Sequence, residues 1–135
     1  MDCAIVKINN ITLVDCILEK DKTKGLVFDT CIATNSEGIV GTYRKTHLWD
    51  EENLLFTKGD SFSVSELEWG NLGVQICYEI GFPEGATALS LKGADIIVYP
   101  SSFGKARLYA WDIATRARPW ENGCFVIAVN RTGID

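Results

Sequence analysis

The chain has 135 residues, of which 47% are hydrophobic and 23% are charged, with 12 glycines and 3 prolines. This composition excludes a disordered or collagen-like chain and predicts one globular domain, or part of one, over residues 1–135. The 13 basic and 18 acidic residues give a net charge of −5, which argues against nucleic acid as a partner because no positive field is available.

The first half of the chain has the pattern of antiparallel β-structure. Three segments rich in β-branched and aliphatic residues predict strands: 11–18, 26–34 and 39–43. A charged turn at 19–25 separates the first two, which indicates a hairpin. The next turn, at 35–38, ends at Gly38, which is free to adopt positive φ.

After residue 70 the pattern changes to strands that alternate with helices. Strands are predicted at 72–77, 95–99 and 124–129, and helices at 83–92 and 106–117. Pro83 suits the first turn of its helix, and Gly93 is expected to close that helix as a left-handed cap. A β-α-β-α-β unit forms a parallel sheet, whose carboxyl edge would bring Cys77 and the loops 100–104 and 130–133 together.

Two prolines are expected to end elements of this second half. Pro100, followed by Ser101 and Ser102, is expected to stop the second strand. Pro119 is expected to end or kink the second helix, and a stop at Arg118 would avoid most of the cost of about 3 kcal/mol that a proline inside a helix carries.

The five cysteines, residues 3, 16, 31, 77 and 124, form no Cys-x-x-Cys pair, and His47 is the only histidine. We therefore expect no metal site, no disulfide framework and no cofactor. Cys77 stands between a strand end and a helix start, where N–H groups and the helix dipole would stabilise a thiolate, although a core cysteine is the alternative.

Lys45 is either a cation that holds an oxyanion or a surface lysine, and the acidic turn 50–52 alone has the composition of a polar loop.

Three ordered groups of residues carry a family resemblance. The first is GTYRKTHL at 41–48, followed by Glu52, Phe56, Gly59 and Asp60. The second is GVQICYE at 73–79, followed by FPE at 82–84 and KGAD at 92–95. The third is Pro100-Ser101, Trp111-Asp112, RAR at 116–118 and Glu121-Asn122. Together they resemble the carbon–nitrogen hydrolase family, also called the nitrilase superfamily, over about residues 11–133.

The resemblance implies an α-β-β-α sandwich, of which this chain forms a part, and hydrolysis of amides, nitriles or carbamoyl groups through a cysteine thioester. It implies that Cys77 is the nucleophile, that Lys45 and the backbone N–H of Tyr78 stabilise the oxyanion, and that Glu52 orients Lys45. Four residues are expected to line the substrate pocket: Tyr78, Trp49, Ser102 and Phe103.

The sequence also departs from the family pattern. The general-base glutamate of the family belongs to a region that would precede Met1, and no residue here matches it; Glu19, in the charged turn, is expected at the surface. Glu79 stands where aspartate is usual, and Thr87 where arginine is frequent, which puts the anchoring of the acid beside Cys77 in question. We therefore expect this chain alone to be inactive.

A second hypothesis is a non-catalytic remnant or interaction subunit of the same fold. A third, a thiol redox protein, ranks last because no resolving cysteine lies near Cys77 in the sequence.

The remaining expectations concern partners and location. No apolar run approaches the roughly 18 residues of a membrane-spanning helix, and the start of the chain lacks a signal peptide, so we expect a cytoplasmic protein without a membrane partner.

The substrate stays open among amides, nitriles, ω-amides of dicarboxylates and N-carbamoyl amines, because no arginine or lysine can be assigned to the pocket. The resemblance implies a homo-oligomer, with helix 106–117 either at the interface or packed on its own sheet.

Overall fold

The first sheet contains the predicted hairpin and the strand after it. The computed structural model describes residues 4–133, and its first three strands are β1 (Leu13–Lys20), β2 (Val27–Asn35) and β3 (Gly38–Arg44). They pair antiparallel in the order β1-β2-β3, and Gly38 has a φ of 124°, so the hairpin and the second turn are confirmed.

Strand β1 is longer than predicted. A turn was expected from residue 19, but the strand continues to Lys20, so that boundary was wrong. Glu19 stays in the strand because its carboxylate accepts hydrogen bonds from Thr30 Oγ1 at 2.8 Å and Arg44 Nε at 2.9 Å, which tie it to β2 and β3. Its side chain is 29% exposed and forms an ion pair with Arg44, rather than standing free at the surface as expected.

The second sheet contains the predicted β-α-β-α-β unit. Its strands, in the order β4-β5-β6-β7, are β4 (Val64–Leu67), β5 (Gly70–Val74), β6 (Ile96–Ser101) and β7 (Phe125–Asn130). β5, β6 and β7 are parallel, whereas β4, which the sequence analysis missed, pairs antiparallel with β5. The helices α3 (Pro83–Leu91) and α4 (Leu108–Asn122) connect the parallel strands, and Gly93 has the predicted positive φ, at 90°.

Two further short helices were also missed. α1 (Ala4–Asn9) opens the described part of the chain, and α2 (Glu52–Leu55) is a single turn where a polar loop was expected.

Pro100 does not stop its strand, contrary to the prediction. β6 continues to Ser101, and the two sides of the strand explain why. The carbonyl of Val98 accepts from Gln75 on the β5 side, and the carbonyl of Ser101 accepts from Arg131 on the β7 side. Because successive residues of a strand alternate sides, Pro100 faces the β5 side, beyond the point where β5 ends at Val74. Its missing N–H therefore removes no ladder hydrogen bond.

Pro119 does not end α4 either, so the predicted stop at Arg118 was wrong. The helix continues to Asn122, and side-chain bonds secure the turn around the proline. Asn122 Nδ2 donates to the Arg118 carbonyl at 2.9 Å, and Arg118 Nη1 donates to Glu121 Oε2 at 2.7 Å. The N–H of Gly123, whose φ is 61°, closes the helix on the Pro119 carbonyl.

The buried side chains form two hydrophobic clusters. One lies between the sheets: Cys31, Ala33, Tyr43, Leu72, Val74, Ile76 and Val98. The other lies between the second sheet and helices α3 and α4: Ile80, Ala86, Leu89, Ala94, Ile97, Tyr99 and Ala114. α1 contacts β2 and buries Val6, so the layers follow the predicted α-β-β-α order. Over residues 4–133, no helix has the length and apolar character that a membrane crossing requires.

Candidate active site

Lys45 is buried, immediately after β3, and two carboxylates hold its ammonium group. Its side chain is 1% exposed, and its Nζ donates to Glu52 Oε1 at 2.9 Å and Oε2 at 2.8 Å, with Asp29 Oδ2 at 3.4 Å. Glu52 Oε2 also accepts the backbone N–H of Trp49 at 2.7 Å, so the one-turn helix α2 fixes the carboxylate. The structure therefore joins Lys45 and Glu52 as the sequence analysis expected, and excludes the surface alternative for Lys45.

Burial and the neighbouring charges act in opposite directions on the pKa values of Lys45 and Asp29. Burial alone would lower the pKa of Lys45, but the hydrogen bond with Glu52 and the charges of Asp29 and Glu52 outweigh it and raise the pKa. Burial raises the pKa of Asp29, with Lys45 opposing that effect. Lys45 therefore remains an ammonium at neutral pH.

Asp29 was missed by the sequence analysis, although the hairpin register contains a signal for it. Thr30 pairs with Arg44, which places Asp29 opposite Lys45, and the Lys45 N–H donates to the Asp29 carbonyl at 2.9 Å. The register of β2 against β3 therefore places these two residues opposite each other.

Cys77 is the first residue of a short 3-10 helix, Cys77–Gly81, which follows β5 after two residues. The predicted strand 72–77 ends earlier, at Val74, and Cys77 has a φ of 49°, which non-glycine residues rarely adopt. Burial raises the pKa of the Cys77 thiol, while the backbone N–H groups of Ser102 and Tyr78 and the charge of Lys45 oppose that rise. The expected stabilisation of a thiolate is thus outweighed, and the resting group is a thiol.

Glu79 connects the lysine segment to the cysteine segment. It is completely buried, and its Oε1 accepts hydrogen bonds from Tyr43 OH at 2.7 Å, the Thr46 N–H at 2.9 Å, Thr46 Oγ1 at 2.7 Å and the His47 N–H at 3.0 Å. Its Oε2 accepts the Ile76 N–H at 2.7 Å. These bonds anchor the acid without an arginine at position 87, which answers the question that Thr87 raised.

Gly59 secures the same lysine segment from the other side. Its N–H donates to the Lys45 carbonyl at 2.8 Å. A Cβ at this position would lie 2.1 Å from the carbonyl oxygen of Arg44, so only glycine permits so close an approach.

The register of the parallel strands brings Cys77 and the predicted loop 100–104 to one cavity of about 450 Å³. Eleven residues line it: Asp15, Cys16, Asp29, Lys45, Trp49, Glu52, Ile76, Cys77, Pro100, Ser101 and Ser102. Asn130, where β7 ends and the predicted loop 130–133 begins, contributes indirectly. Its Oδ1 accepts the Phe103 N–H at 2.7 Å, and its Nδ2 donates to the Phe103 carbonyl at 3.1 Å. Asn130 therefore fixes the loop that carries Ser102 and Phe103.

A second, smaller cavity of about 200 Å³ adjoins the first, and the four predicted pocket residues all line it. Trp49, Cys77 and Ser102 border both cavities, whereas Tyr78 and Phe103 border only the smaller one. The ring of Trp49 meets Tyr78 edge-to-face at 4.6 Å, and Arg107, which was not predicted, lies over Trp49 at 4.1 Å. The structure thus gathers all the predicted site residues around Cys77.

Another cavity, of about 410 Å³, lies away from this chemistry. Its lining includes Thr12, Glu66 and Trp69, and neither Cys77 nor Lys45 borders it. In residues 4–133, no three or more His, Cys, Asp or Glu side chains are grouped so as to hold a metal ion.

The comparison with protein families gives a match over nearly the whole chain: the family described as carbon-nitrogen hydrolase matches residues 3–135. A probable nitrilase of Schizosaccharomyces pombe is 37% identical over 118 residues, covering 87% of this chain and 43% of the relative. The human deaminated glutathione amidase is 35% identical over 119 residues, covering 79% of this chain and 36% of the relative.

Solved structures show the same fold. A carbon-nitrogen hydrolase from Helicobacter pylori superposes with a TM-score of 0.89 at 32% identity, covering 98% of this chain and 50% of that one. A Saccharomyces cerevisiae member of branch 10 of the nitrilase superfamily gives a TM-score of 0.88 at 29% identity, covering 95% and 48%. The chain therefore spans about half the length of these solved chains, and less than half of the two relatives above.

Proposed function

The chain belongs to the carbon–nitrogen hydrolase family, and from this premise we propose that its site hydrolyses a non-peptide carbon–nitrogen bond, in an amide, nitrile or carbamoyl group, through a thioester on Cys77. The main support is the position of Cys77: a strained backbone presents its thiol to a cavity that also contains the buried Lys45. Backbone strain of this kind costs about 1–3 kcal/mol and clusters at active sites.

In the proposed reaction, the Cys77 sulfur attacks the carbon of the scissile group. The raised pKa of this thiol means that its proton must leave during the attack, so a general base is needed. The family resemblance assigns that base to a glutamate upstream of the lysine segment, and no residue of this sequence matches it. Without such a group, general acid–base catalysis loses typically 10²- to 10⁴-fold in rate.

Negative charge develops during the attack on the oxygen of an amide or carbamoyl group, or on the nitrogen of a nitrile, and Lys45 is the cation of the cavity that can balance it. The backbone N–H of Tyr78, which already faces the Cys77 thiol, is the second donor. Single donors of this type contribute roughly 3–4 kcal/mol to the stability of the transition state. Glu52 orients Lys45 through its two hydrogen bonds.

With an amide or carbamoyl group, collapse of the tetrahedral intermediate breaks the carbon–nitrogen bond, and the nitrogen leaves with a proton as ammonia or an amine. With a nitrile, addition of the thiol gives a thioimidate, and one water must add to it to form the tetrahedral intermediate that releases ammonia. Water then attacks the thioester carbon, which releases the carboxylic acid and returns the proton to the Cys77 sulfur. The cavity of about 450 Å³ has room for this water beside the acyl group.

A substitution of the nucleophile tests the proposal. Cys77→Ala is expected to abolish hydrolysis in a preparation that turns over a panel of small amides and nitriles. Cys124→Ala is the matched control, because Cys124 is a half-buried free cysteine that borders neither cavity. A brief reaction quenched in acid should leave an acyl group on the peptide that contains residue 77. Unchanged turnover in Cys77→Ala would show that the nucleophile assignment is wrong.

The alternative function is that of a non-catalytic interaction subunit. Its support is the apolar surface of β7, the last strand of the second sheet, where Phe125 is 75%, Ile127 48% and Val129 58% exposed. If the purified chain is monomeric, folds cooperatively and retains no partner, this alternative loses its basis.

The oligomeric state remains a proposal as well. α4 packs against its own sheet and buries Ala114 and Arg118, while Tyr109, Ile113 and Trp120 remain exposed for a second copy. Light scattering on the purified chain measures this state directly.

A further inference from the structure

Cys16 and Cys31 face each other on neighbouring strands, and the proposed hydrolysis gives neither of them a role. They are direct partners in the antiparallel register of β1 and β2, and both are free thiols. Cys16 is half-buried and borders the cavity of about 450 Å³, whereas Cys31 is 1% exposed and belongs to the hydrophobic cluster between the sheets. One thiol of the pair is therefore open to a small molecule, and the other is shielded.

The hydrogen bonds of the hairpin show how closely the two residues approach. The N–H of Asp21 donates to the Leu26 carbonyl at 2.8 Å, so these two residues form a hydrogen-bonded pair. Such pairs alternate with non-hydrogen-bonded ones, and Cys16 with Cys31 is the fifth pair after this one, so it is non-hydrogen-bonded. The Cα atoms of such a pair are about 4.5 Å apart, within the roughly 4.4–6.8 Å that a disulfide spans. A bridge between them therefore needs little movement of the backbone.

Two further observations support this contact. The Asp29 carbonyl accepts the Lys45 N–H on the β3 side, and Cys31, two residues along the same strand, directs its backbone groups the same way, away from β1. The hydrogen bond with Cys16, followed by burial, raises the pKa of the Cys31 thiol. Cys31 is therefore unreactive towards solutes, but it can react with a sulfur that is held against it.

We propose that Cys16 and Cys31 form a thiol–disulfide exchange site, which takes a small, positively charged disulfide and closes to a cross-strand disulfide. A redox role for Cys77 ranked last in the sequence analysis because no second cysteine lies near it. In this site the two cysteines are supplied by the hairpin instead, and Cys77 takes no part, so the site does not depend on the proposed hydrolysis.

The exchange has two steps. The Cys16 sulfur loses its proton to water and attacks one sulfur of the small disulfide, so that a mixed disulfide forms and one small thiolate leaves and takes up a proton. The Cys31 sulfur then attacks the Cys16 sulfur, and the second small thiol leaves with the proton of Cys31. Two protein thiols are oxidised to one disulfide, and one small disulfide is reduced to two thiols.

The charge of the cavity favours a cationic disulfide. Three carboxylates line it, from Asp15, Asp29 and Glu52, against the single ammonium of Lys45. Asp15 is exposed and immediately precedes Cys16, whose N–H donates to its Oδ1 at 2.9 Å. A positively charged disulfide is therefore attracted to the thiol that reacts first, and a negatively charged one is repelled.

Peptide mapping tests the site directly. The reduced, folded chain is treated with cystamine at about 0.1 mM, quenched in acid, alkylated and digested with trypsin without a reductant. The lysines of the hairpin turn, Lys20, Lys22 and Lys24, lie between the two cysteines, so trypsin separates their peptides unless a disulfide joins them. We expect the joined peptides, and less than about a tenth as much mixed disulfide on Cys16, because the facing thiol has an effective concentration of millimolar or more. A mixed disulfide that persists, or Cys16 joined to Cys77, would overturn the proposal.

Two variants separate the steps. In Cys31→Ala the reaction should stop at the mixed disulfide, with one cysteamine on Cys16. In Cys16→Ala, Cys31 should remain unmodified, because it is shielded. Cys124→Ala is the matched control and should form the joined peptides as the wild type does, since Cys124 borders neither cavity. Modification of Cys31 in Cys16→Ala at the wild-type rate would show that the two thiols do not act in this order, and would overturn the proposal.

The preference for a cation is tested with two disulfides of similar shape, cystamine and 3,3′-dithiodipropionate. The quantity measured is the ratio of their rates at Cys16, in which the reactivity of the thiol itself cancels. Asp15→Asn is expected to lower this ratio about threefold or more, because a neighbouring carboxylate is lost. Glu84→Gln changes the net charge equally on an exposed residue of α3, outside both cavities, and should leave the ratio unchanged. Equal ratios in the wild type and Asp15→Asn would overturn the cationic preference.

Discussion

Glu79 and Lys45 are both buried charges of the same site region, but the protein treats them differently. Glu79 is completely buried, and hydrogen bonds from Tyr43, Thr46, His47 and Ile76 surround its carboxylate. Lys45 is also almost completely buried, yet its Nζ faces a cavity of about 450 Å³. A charge whose partners are all protein groups holds the fold together, whereas a charge that borders an open cavity remains available to a substrate.

The largest effect is expected from removing the acid of this pair. Glu79→Ala should lower the free energy of unfolding by about 3–5 kcal/mol, because the N–H groups of Thr46, His47 and Ile76 lose their buried acceptor. Denaturant unfolding followed by fluorescence measures this loss. Glu84→Ala, on an exposed glutamate of α3, is the control and should change stability by less than about 1 kcal/mol. A Glu79→Ala protein as stable as wild type would remove the distinction between the two charges.

The cation should affect turnover more than folding. In a preparation that turns over small amides, Lys45→Met is expected to lower kcat/KM about 10²- to 10³-fold, because the oxyanion loses a donor. Its loss of folding stability should be smaller than that of Glu79→Ala, since Asp29 and Glu52 are left facing the cavity rather than packed protein. Lys58→Met, on an exposed lysine, should change neither quantity. Equal losses of activity and stability in Lys45→Met would show that Lys45, like Glu79, serves mainly the fold.

A finer test concerns the pKa of Cys77, which burial raises, Lys45 lowers and Glu52 raises. The rate of alkylation by iodoacetamide, measured at residue 77 by peptide mapping, should titrate above the range of an ordinary thiol. The midpoint should move higher in Lys45→Met, where a stabilising charge is lost, and lower in Glu52→Gln, where an opposing charge is lost. A shift in the reverse direction for either variant would contradict the arrangement of charges around the thiol.

The smallest effect is expected at the surface pair of Glu19 and Arg44, a third case beside the two buried charges. The hydrogen bond from Arg44 holds the pKa of Glu19 below its ordinary value, so its contribution is present above the ordinary pKa of glutamate and is lost as pH falls through the lowered one. Glu19→Gln should therefore lower stability by less than about 1 kcal/mol at pH 7, and by nothing measurable once Glu19 is protonated. Thermal unfolding across pH 2–7, with high salt as the control, measures the difference. A larger loss, or one that persists at low pH, would contradict this assignment.

The sequence was sufficient for the elements that depend on local patterns. The hairpin and the parallel β-α-β-α-β unit follow from alternation, turn residues and strand order, whereas the expectation that Lys45 and Glu52 act with Cys77 came from the family resemblance. The interruptions by Pro100 and Pro119 were wrongly expected. Pro100 faces a side of β6 that β5 does not reach, whereas hydrogen bonds of Arg118, Asn122 and Gly123 support the helix beyond Pro119. That information belongs to the sheet edge and the side-chain bonds of α4, not to the local sequence.

Side-chain roles that depend on distant partners were also beyond the sequence. Asp29 is 16 positions from Lys45, and Glu79 accepts from Tyr43 across a separation of 36. Arg107 lies over the ring of Trp49, a contact between distant segments of the chain. The Asp29 contact depends on the register of β2 against β3, and the other two contacts depend on how segments from different parts of the fold meet, which no local pattern records.

The left-handed backbone of Cys77 has a consequence for the evolvability of this position. Asn10, Asp50 and Cys77 are the non-glycine residues with positive φ in the described chain, and Asn and Asp tolerate that conformation better than Cys. In a library of all substitutions at residue 77, we expect the most stable folded proteins to carry Gly or Asn, and β-branched residues to fold worst. Selection for thermostability alone would therefore drive the sulfur out of the site. Under the proposed function, a substitution at residue 77 that relaxes this turn also removes the nucleophile, so stability and activity oppose each other at this position.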